Sequence, residues 1–179
     1  AESMECTNAV STYPLCSPHR AALFTGKYPF SCGMWTNCKI GLDEVVMLHP
    51  QEVTITDVLH DAGYVNGYIG KWHLDGSEKN FQSAPVSGAE GWDAYTPPGE
   101  RRHHIDYWLS YGAMDNHLSP HYWHDTAEKI EPGKWSVEYE TDKAIEFMEN
   151  QKGDRPFSLF LSWNPPHPPY DKSPDRYLK

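Results

Sequence analysis

The stretch with the clearest chemical potential begins at Cys16 and reads C-S-P-H-R-A-A-L-F-T-G. Pro18 suits the first turn of a helix because its missing N–H costs nothing there, and Gly26 offers a left-handed stop. The pattern predicts a helix over residues 18–25 with Cys16 at its N-terminus, where backbone N–H groups favour an anion. Arg20 follows one turn later on the same face. A nucleophile-sized side chain, a guanidinium and free N–H groups together suit an oxyanion ester.

Two further groups of polar side chains follow predicted strands. Lys71 and His73 come directly after a strand predicted over residues 64–70, and two positions apart on an extended chain share one side. His167 follows a predicted buried strand over residues 157–163 and lies within Pro-Pro-His-Pro-Pro, where prolines fix the backbone without needing N–H partners. Open α/β sheets place ligands beyond the carboxyl ends of their strands. The sequence therefore predicts a site at these strand ends.

Three motifs carry a resemblance to a known family. They are C-S-P-x-R-x-x-x-x-T-G from Cys16, Gly70-Lys71-Trp72-His73-Leu74 after Tyr68-Ile69, and Ser162-Trp163-Asn164-Pro165-Pro166-His167-Pro168-Pro169. In this order they resemble the signatures of the type I, formylglycine-dependent sulfatases. The resemblance implies an α/β fold, an alkaline-phosphatase-like sandwich with a central mixed sheet flanked by helices, present in part. Residues 1–179 would be the central part of the N-terminal catalytic domain, without its first strand and C-terminal part.

The resemblance also implies a role for each site residue. Cys16 would be oxidised to formylglycine by a formylglycine-generating enzyme. The aldehyde hydrate then offers one hydroxyl as nucleophile and a second whose deprotonation expels sulfate. Arg20 would orient and charge-stabilise this hydrate, Lys71 would contact a sulfate oxygen, and His73 would contact the nucleophile's hydroxyl. His167 would be a general acid or charge stabiliser at the leaving oxygen, a task that suits imidazole near neutral pH.

The family binds one calcium ion, and the resemblance makes residue 16, as formylglycine, one of its ligands. The remaining acidic ligands and a second active-site lysine are expected before residue 1 and beyond Lys179. One ligand cannot hold this hard cation, which needs several oxygens. We therefore expect this polypeptide alone to be inactive.

The implied reaction is hydrolysis of a sulfate ester, with a sulfated small molecule or glycan as substrate. A sulfated carbohydrate is the preferred class, on the basis of the aromatic and histidine-rich segment alone. A phosphonate monoester or phosphodiester hydrolase of the same superfamily is one alternative, and a non-catalytic carbohydrate-binding relative is another. An ordinary cysteine phosphatase loop is excluded by spacing, because its arginine lies six residues after the cysteine and Arg20 lies four after Cys16.

The net charge of the chain limits the kinds of partner it can bind. The formal net charge of −10 opposes general nucleic-acid binding, so positive charge must be concentrated locally, with Arg20, Lys71, Arg101 and Arg102 as candidates. The sequence has no apolar segment of membrane-spanning length and no signal peptide pattern. It opens on A-E-S-M-E, which is typical of a helix end and predicts an internal piece. The compartment implied by the resemblance is periplasmic or secreted.

The other elements are weaker predictions. Residues 4–12 predict a short strand that leads into the turn before Cys16, and residues 54–62 predict a helix. Residues 136–151 predict a helix capped by Ser136, with Ala144, Phe147 and Met148 as its apolar face. Residues 27–50 and 75–134 are expected to be largely irregular.

Three further cysteines and a histidine-rich segment have no assigned chemistry. Cys6, Cys32 and Cys38 favour ordinary half-buried packing, although a bridge between Cys32 and Cys38 stays open. Residues 100–125 combine histidines with tyrosine and tryptophan, which suits either stacking on a sugar or a packed insertion. His117 and His121 have a zinc-like spacing, but Pro120 between them argues against the helix that this would need.

Overall fold

A computed structural model describes residues 3–178. Its longer helices and its strands are α1 (Cys16–Thr25), α2 (Ile55–Asp61), β1 (Val65–Lys71), β2 (Tyr107–Tyr111), α3 (Ser136–Asn150) and β3 (Phe157–Ser162). Over these residues the strands form one three-stranded parallel sheet in the order β2-β1-β3, with helices packed against it. The predicted α/β class is confirmed.

The register of the sheet brings the ends of its strands together. Lys71 at the end of β1 lies opposite Tyr111 of β2, and Gly70 lies opposite Ser162 of β3. Because all three strands run in the same direction, the chain leaves each of them at the same edge. The segments that follow β1 and β3 therefore start as neighbours.

Helix α1 packs one face against this sheet. It begins at Cys16 and ends at Gly26, whose φ of 67° is left-handed and whose N–H donates to the carbonyl of Ala22 at 2.9 Å. Phe24 is buried, and its ring lies 5.2 Å from the ring of Trp72 and 4.9 Å from that of Phe160. The predicted helix and its stop are confirmed, and the aromatic contacts fix the helix over β1 and β3.

Helix α3 differs from the prediction in its cap and its buried face. The cap position is Trp135 rather than Ser136, and no side chain caps the helix. Met148 is 43% exposed, whereas Glu140 is fully buried on the same face as Ala144. Ala144 and Phe147 are buried as predicted, so the apolar spacing is wrong only at Met148, and it did not predict the burial of Glu140.

Glu140 is a carboxyl group in the core. Its Oε1 accepts a hydrogen bond of 2.8 Å from the Tyr122 hydroxyl, and its Oε2 is buried with no hydrogen-bond partner among the described residues. Burial raises the pKa of Glu140 to about 8. The folded protein therefore favours the neutral carboxylic acid near neutral pH.

Several local predictions were wrong. Residues 4–12 form no strand and are almost all exposed, since no described strand lies beside them to pair with. Strand β2 interrupts the stretch expected to be irregular, and its five residues are held by pairing with β1. Strand β3 is only half-buried, whereas β2, at the other edge of the described sheet, is almost entirely buried. The predicted helix end at residues 1–5 includes residues 1 and 2, which lie outside the described residues, and residues 3–5 form no regular element.

The aromatic residues of the 100–125 segment pack into the core. Trp108, Tyr111, Tyr122 and Trp123 are each no more than 1% exposed. Rings without exposed faces cannot stack on a sugar, so the packed-insertion interpretation holds and the stacking hypothesis is wrong for these four residues.

The cysteines are all free thiols in the structure. Cys32 and Cys38 are buried, as expected for packed residues, and no bridge joins them. Cys6 is exposed, contrary to the expectation of half-buried packing.

Gly70 allows the close approach of β1 and β3. Its φ is 101°, and an added Cβ would lie 2.3 Å from the carbonyl oxygen of Ser162. We predict that Gly70→Ala lowers the free energy of unfolding of the full-length protein by at least about 2 kcal/mol, since both the backbone strain and the contact oppose it. Gly153→Ala, whose added carbon would meet nothing closer than 3.9 Å, is the control. Equal stability of the two variants would contradict the prediction.

Glu140 predicts a pH dependence of stability. Its folded pKa lies above its unfolded value, so its contribution is fully present below about pH 4.5 and is lost as pH rises through about 8. In Glu140→Gln this loss should disappear, which makes the unfolding free energy flatter between about pH 5 and 9. Denaturant titrations of the full-length protein across this range measure the slope. Glu149→Gln, an exposed change on the same helix, should keep the wild-type slope, and an unchanged slope in Glu140→Gln would refute the assignment.

Candidate active site

The start of α1 is held by a neighbouring loop. Leu15, at the cap position, offers no side-chain acceptor. Instead, Asn37 Oδ1 accepts a hydrogen bond of 2.9 Å from the Ser17 N–H, and Ser17 Oγ accepts one of 3.1 Å from the Cys38 N–H. Because these groups are buried, they set the position of the first turn. Cys16, the first residue of α1, is thereby held at the helix N-terminus.

Arg20 joins α1 to two strand ends. Its Nη1 donates to the carbonyl of Lys71 and to Ser162 Oγ, each at 2.7 Å, and lies 3.3 Å from the Tyr68 hydroxyl. Its Nε and Nη2 have no hydrogen-bond partner among the described residues. Nη1 therefore connects α1 to the ends of β1 and β3, and the edge formed by Nε and Nη2 is available to a ligand beside Cys16.

Lys71 is a buried cation at the end of β1. It is 3% exposed, and its Nζ donates to Asn164 Oδ1 at 3.1 Å. Burial lowers the pKa of Lys71, and the nearby charge of Arg20 acts in the same direction. A neutral amide is its hydrogen-bond partner among the described residues, so its Nζ makes no direct ion pair there and lines the cavity beside Cys16.

His73 reaches the same site by a route that the sequence did not predict. Its φ of 50° is left-handed, so the extended geometry assumed for Lys71 and His73 is wrong. His73 Nε2 lies 2.9 Å from the Cys38 carbonyl oxygen, which can only accept, so Nε2 carries the proton. Burial, assisted by the charge of Lys71, lowers the pKa of His73 to about 3. The imidazole is therefore neutral, and its buried Nδ1 is a free acceptor among the described residues.

His167 lies in a proline-rich loop that a second segment supports. Its Nδ1 is 3.0 Å from Asp115 Oδ1 and 2.9 Å from the Pro168 carbonyl oxygen. Its own carbonyl accepts a hydrogen bond of 2.9 Å from His117 Nε2. Asn164, at the start of this loop, donates to the Met114 carbonyl at 2.7 Å. Residues 114–117 therefore contact the loop after β3 at both Asn164 and His167.

All five predicted residues surround two adjoining cavities. The larger, of about 660 Å³, is lined by Cys16, Arg20, Lys71 and His167, with Ser11 and His19 among the remaining residues. The smaller, of about 250 Å³, is lined by Cys16, Lys71, His73, Asp115 and His167, among others. Three of the side chains line both cavities, so the structure brings the five together.

Other predicted residues lie outside this site. Arg101 pairs with both carboxylate oxygens of Asp75 at 3.0 Å, and Arg102 is buried against the Thr96 carbonyl and Asp125. Neither arginine contributes its charge to the cavities. His121 Nε2 contacts Asp93 at 2.6 Å rather than sharing a ligand with His117, so the zinc-like spacing reflects two separate hydrogen bonds.

Four contributing residues were missed. Ser162 and Asn164 belong to the third motif and follow from their position at a strand end, which was a usable signal. Asn37 and Asp115 stand in irregular chain, and nothing local in the sequence indicates that they meet Cys16 and His167.

The described part of the chain does not assemble a calcium site. No group of three or more His, Cys, Asp or Glu side chains between residues 3 and 178 is placed to hold a metal ion. Cys16 is the only predicted calcium ligand in that part of the chain.

No helix between residues 3 and 178 is long and apolar enough to cross a bilayer.

Comparisons with known proteins identify the family. The sulfatase family model matches residues 1–179, and the chain belongs to the sulfatase family. It is 40% identical over 177 residues to an endo-4-O-sulfatase of Bacteroides thetaiotaomicron, covering 94% of this chain and 34% of the relative. An ulvan-active sulfatase of Formosa agariphila is 36% identical, covering 98% and 31% respectively.

The fold comparison agrees. A solved structure from work on glycosaminoglycan metabolism by Bacteroides thetaiotaomicron has a TM-score of 0.81 at 37% identity, covering 92% of this chain and 35% of that one. The chain thus spans about a third of the length of the curated relatives it matches.

Proposed function

We propose that the full-length protein is a sulfatase that hydrolyses sulfate esters of a glycan. The observation that carries this proposal is the pair of adjoining cavities at the start of α1. Cys16 lines both of them, together with two basic side chains and two imidazoles. The substrate class is supported by relatives named for 4-O-sulfate and ulvan. It draws no support from the buried aromatic rings of residues 100–125.

Formylglycine at position 16, made from Cys16 by a formylglycine-generating enzyme, would supply the oxygen nucleophile as its hydrate. Arg20 Nη2 and Lys71 Nζ would bind oxygens around the reacting sulfur. Both cations are held before substrate arrives, so they stabilise the charge of the transition state without reorganisation. The low exposure of Lys71 strengthens this interaction, because water screens it less.

The two imidazoles would have different roles. His73 has its Nε2 proton fixed by the Cys38 carbonyl, so its Nδ1 can accept a hydrogen bond from a hydroxyl at residue 16 and orient it. His167 would protonate the ester oxygen as its bond to sulfur breaks, releasing the sugar hydroxyl. The full-length protein would also bind one calcium ion with residue 16 as one ligand, and its proposed location is the periplasm or the exterior.

The test combines mass spectrometry with two substrates. We expect the Cys16 peptide of the full-length protein to lose about eighteen mass units when the modifying enzyme is present, because the nucleophile is made from this thiol. Turnover of an aryl sulfate should then appear, and it should be abolished in Cys16→Ala and unchanged in Cys6→Ala, which alters an exposed thiol.

An aryl phosphodiester serves as the competing substrate. Turnover of the phosphodiester that equals or exceeds that of the sulfate would replace the proposal with a phosphodiester or phosphonate monoester hydrolase. Fully converted protein that binds a sulfated glycan and turns over neither ester would be a non-catalytic binding protein.

A further inference from the structure

We infer that Asp115 is a positioning residue for His167, and that its carboxylate holds the imidazole so that Nε2 delivers the proton to the leaving oxygen. The inference rests on the proposed sulfatase function. It adds a residue that neither the sequence motifs nor the comparisons assign.

The hydrogen bonds of His167 determine which nitrogen carries a proton. Nδ1 has two neighbours, Asp115 Oδ1 at 3.0 Å and the Pro168 carbonyl oxygen at 2.9 Å. The Pro168 carbonyl oxygen can only accept a hydrogen bond, so Nδ1 is the donor. The Asp115 carboxylate lies within ion-pair distance of the same nitrogen and does not form a hydrogen bond of its own with it. A proton exchanged with substrate must therefore come from Nε2. When Nε2 gives this proton to the leaving oxygen, the electron pair of the broken S–O bond goes to that oxygen and the imidazole becomes neutral.

The Asp115 carboxylate constrains the His167 ring in a way that the Pro168 carbonyl cannot. The Pro168 carbonyl belongs to the same loop and moves with the imidazole, whereas Asp115 lies on the segment that supports the loop. Asp115 therefore fixes the ring relative to the cavity.

Asn164 lies between the Asp115 carboxylate and Lys71. Its Oδ1 accepts from Lys71 Nζ at 3.1 Å, and its Nδ2 donates to Asp115 Oδ1 at 3.3 Å. The amide thus stands between a buried cation and a half-exposed anion and satisfies both. Lys71 and Asp115 therefore bond the same amide and not each other.

The test uses a series of substituted phenyl sulfates with no sugar, from 4-nitrophenyl sulfate, a good leaving group, to phenyl sulfate, a poor one. In full-length, converted protein we expect Asp115→Ala to lower kcat on phenyl sulfate about tenfold and on 4-nitrophenyl sulfate less than about twofold, with KM little changed. Asp115→Asn keeps the size of the side chain without its charge. Its kcat on phenyl sulfate should lie between those of the wild type and Asp115→Ala. Asp171→Asn, an exposed carboxylate later in the same region, is the matched control and should follow the wild type.

Each other outcome overturns the inference in a distinct way. An equal loss across the series would mean that Asp115 only supports the fold. A flat series combined with lost glycan turnover would mean that Asp115 binds the sugar. Failure of the wild type on every sulfate would instead reject the proposed function.

A readout independent of turnover is the nitrogen NMR spectrum of histidine-labelled full-length protein, with His167 assigned through His167→Gln. We expect Nδ1 of His167 to be protonated in the wild type and its signal to shift in Asp115→Ala. An unprotonated Nδ1 in the wild type, or an unchanged signal in the variant, would overturn the inference.

Discussion

The site depends on one guanidinium that joins three elements. Arg20 is on α1, and its Nη1 bonds the end of β1 through the Lys71 carbonyl and the end of β3 through Ser162. These bonds bring the first turn of a helix to the carboxyl edge of a parallel sheet, where the loops that carry His73 and His167 begin. An arginine suits this task because its several donors can serve the fold and a ligand at once. A lysine carries all of its donors on one nitrogen, so it cannot bond both strand ends and a ligand.

Burial then divides the work between two imidazoles. His73 is enclosed beside Lys71, which keeps it neutral with a free Nδ1. The His167 side chain is 35% exposed and lies beside the Asp115 carboxylate. Two groups of the same type are thus placed in different electrostatic surroundings, which suits them to different roles.

The parts of this arrangement that the sequence predicts are those with local signals. Pro18 and Gly26 bound α1, and the strands before Lys71 and His167 are recognisable as apolar runs. The parts it does not predict depend on distant partners. The β2 strand exists because β1 pairs with it, Glu140 is buried because Tyr122 meets it, and His73 turns left-handed in order to reach Cys38. Asp115 meets His167 only once the chain has folded.

The role of Arg20 is tested most directly by hydrogen–deuterium exchange of the full-length protein carrying Arg20→Lys. The account predicts faster exchange in peptides covering α1 and the segments after β1 and β3, while α3 exchanges as in the wild type, since one lysine nitrogen cannot replace both strand-end bonds and the free edge. Unchanged protection of α1 in this variant would contradict the claim that Arg20 holds the site together.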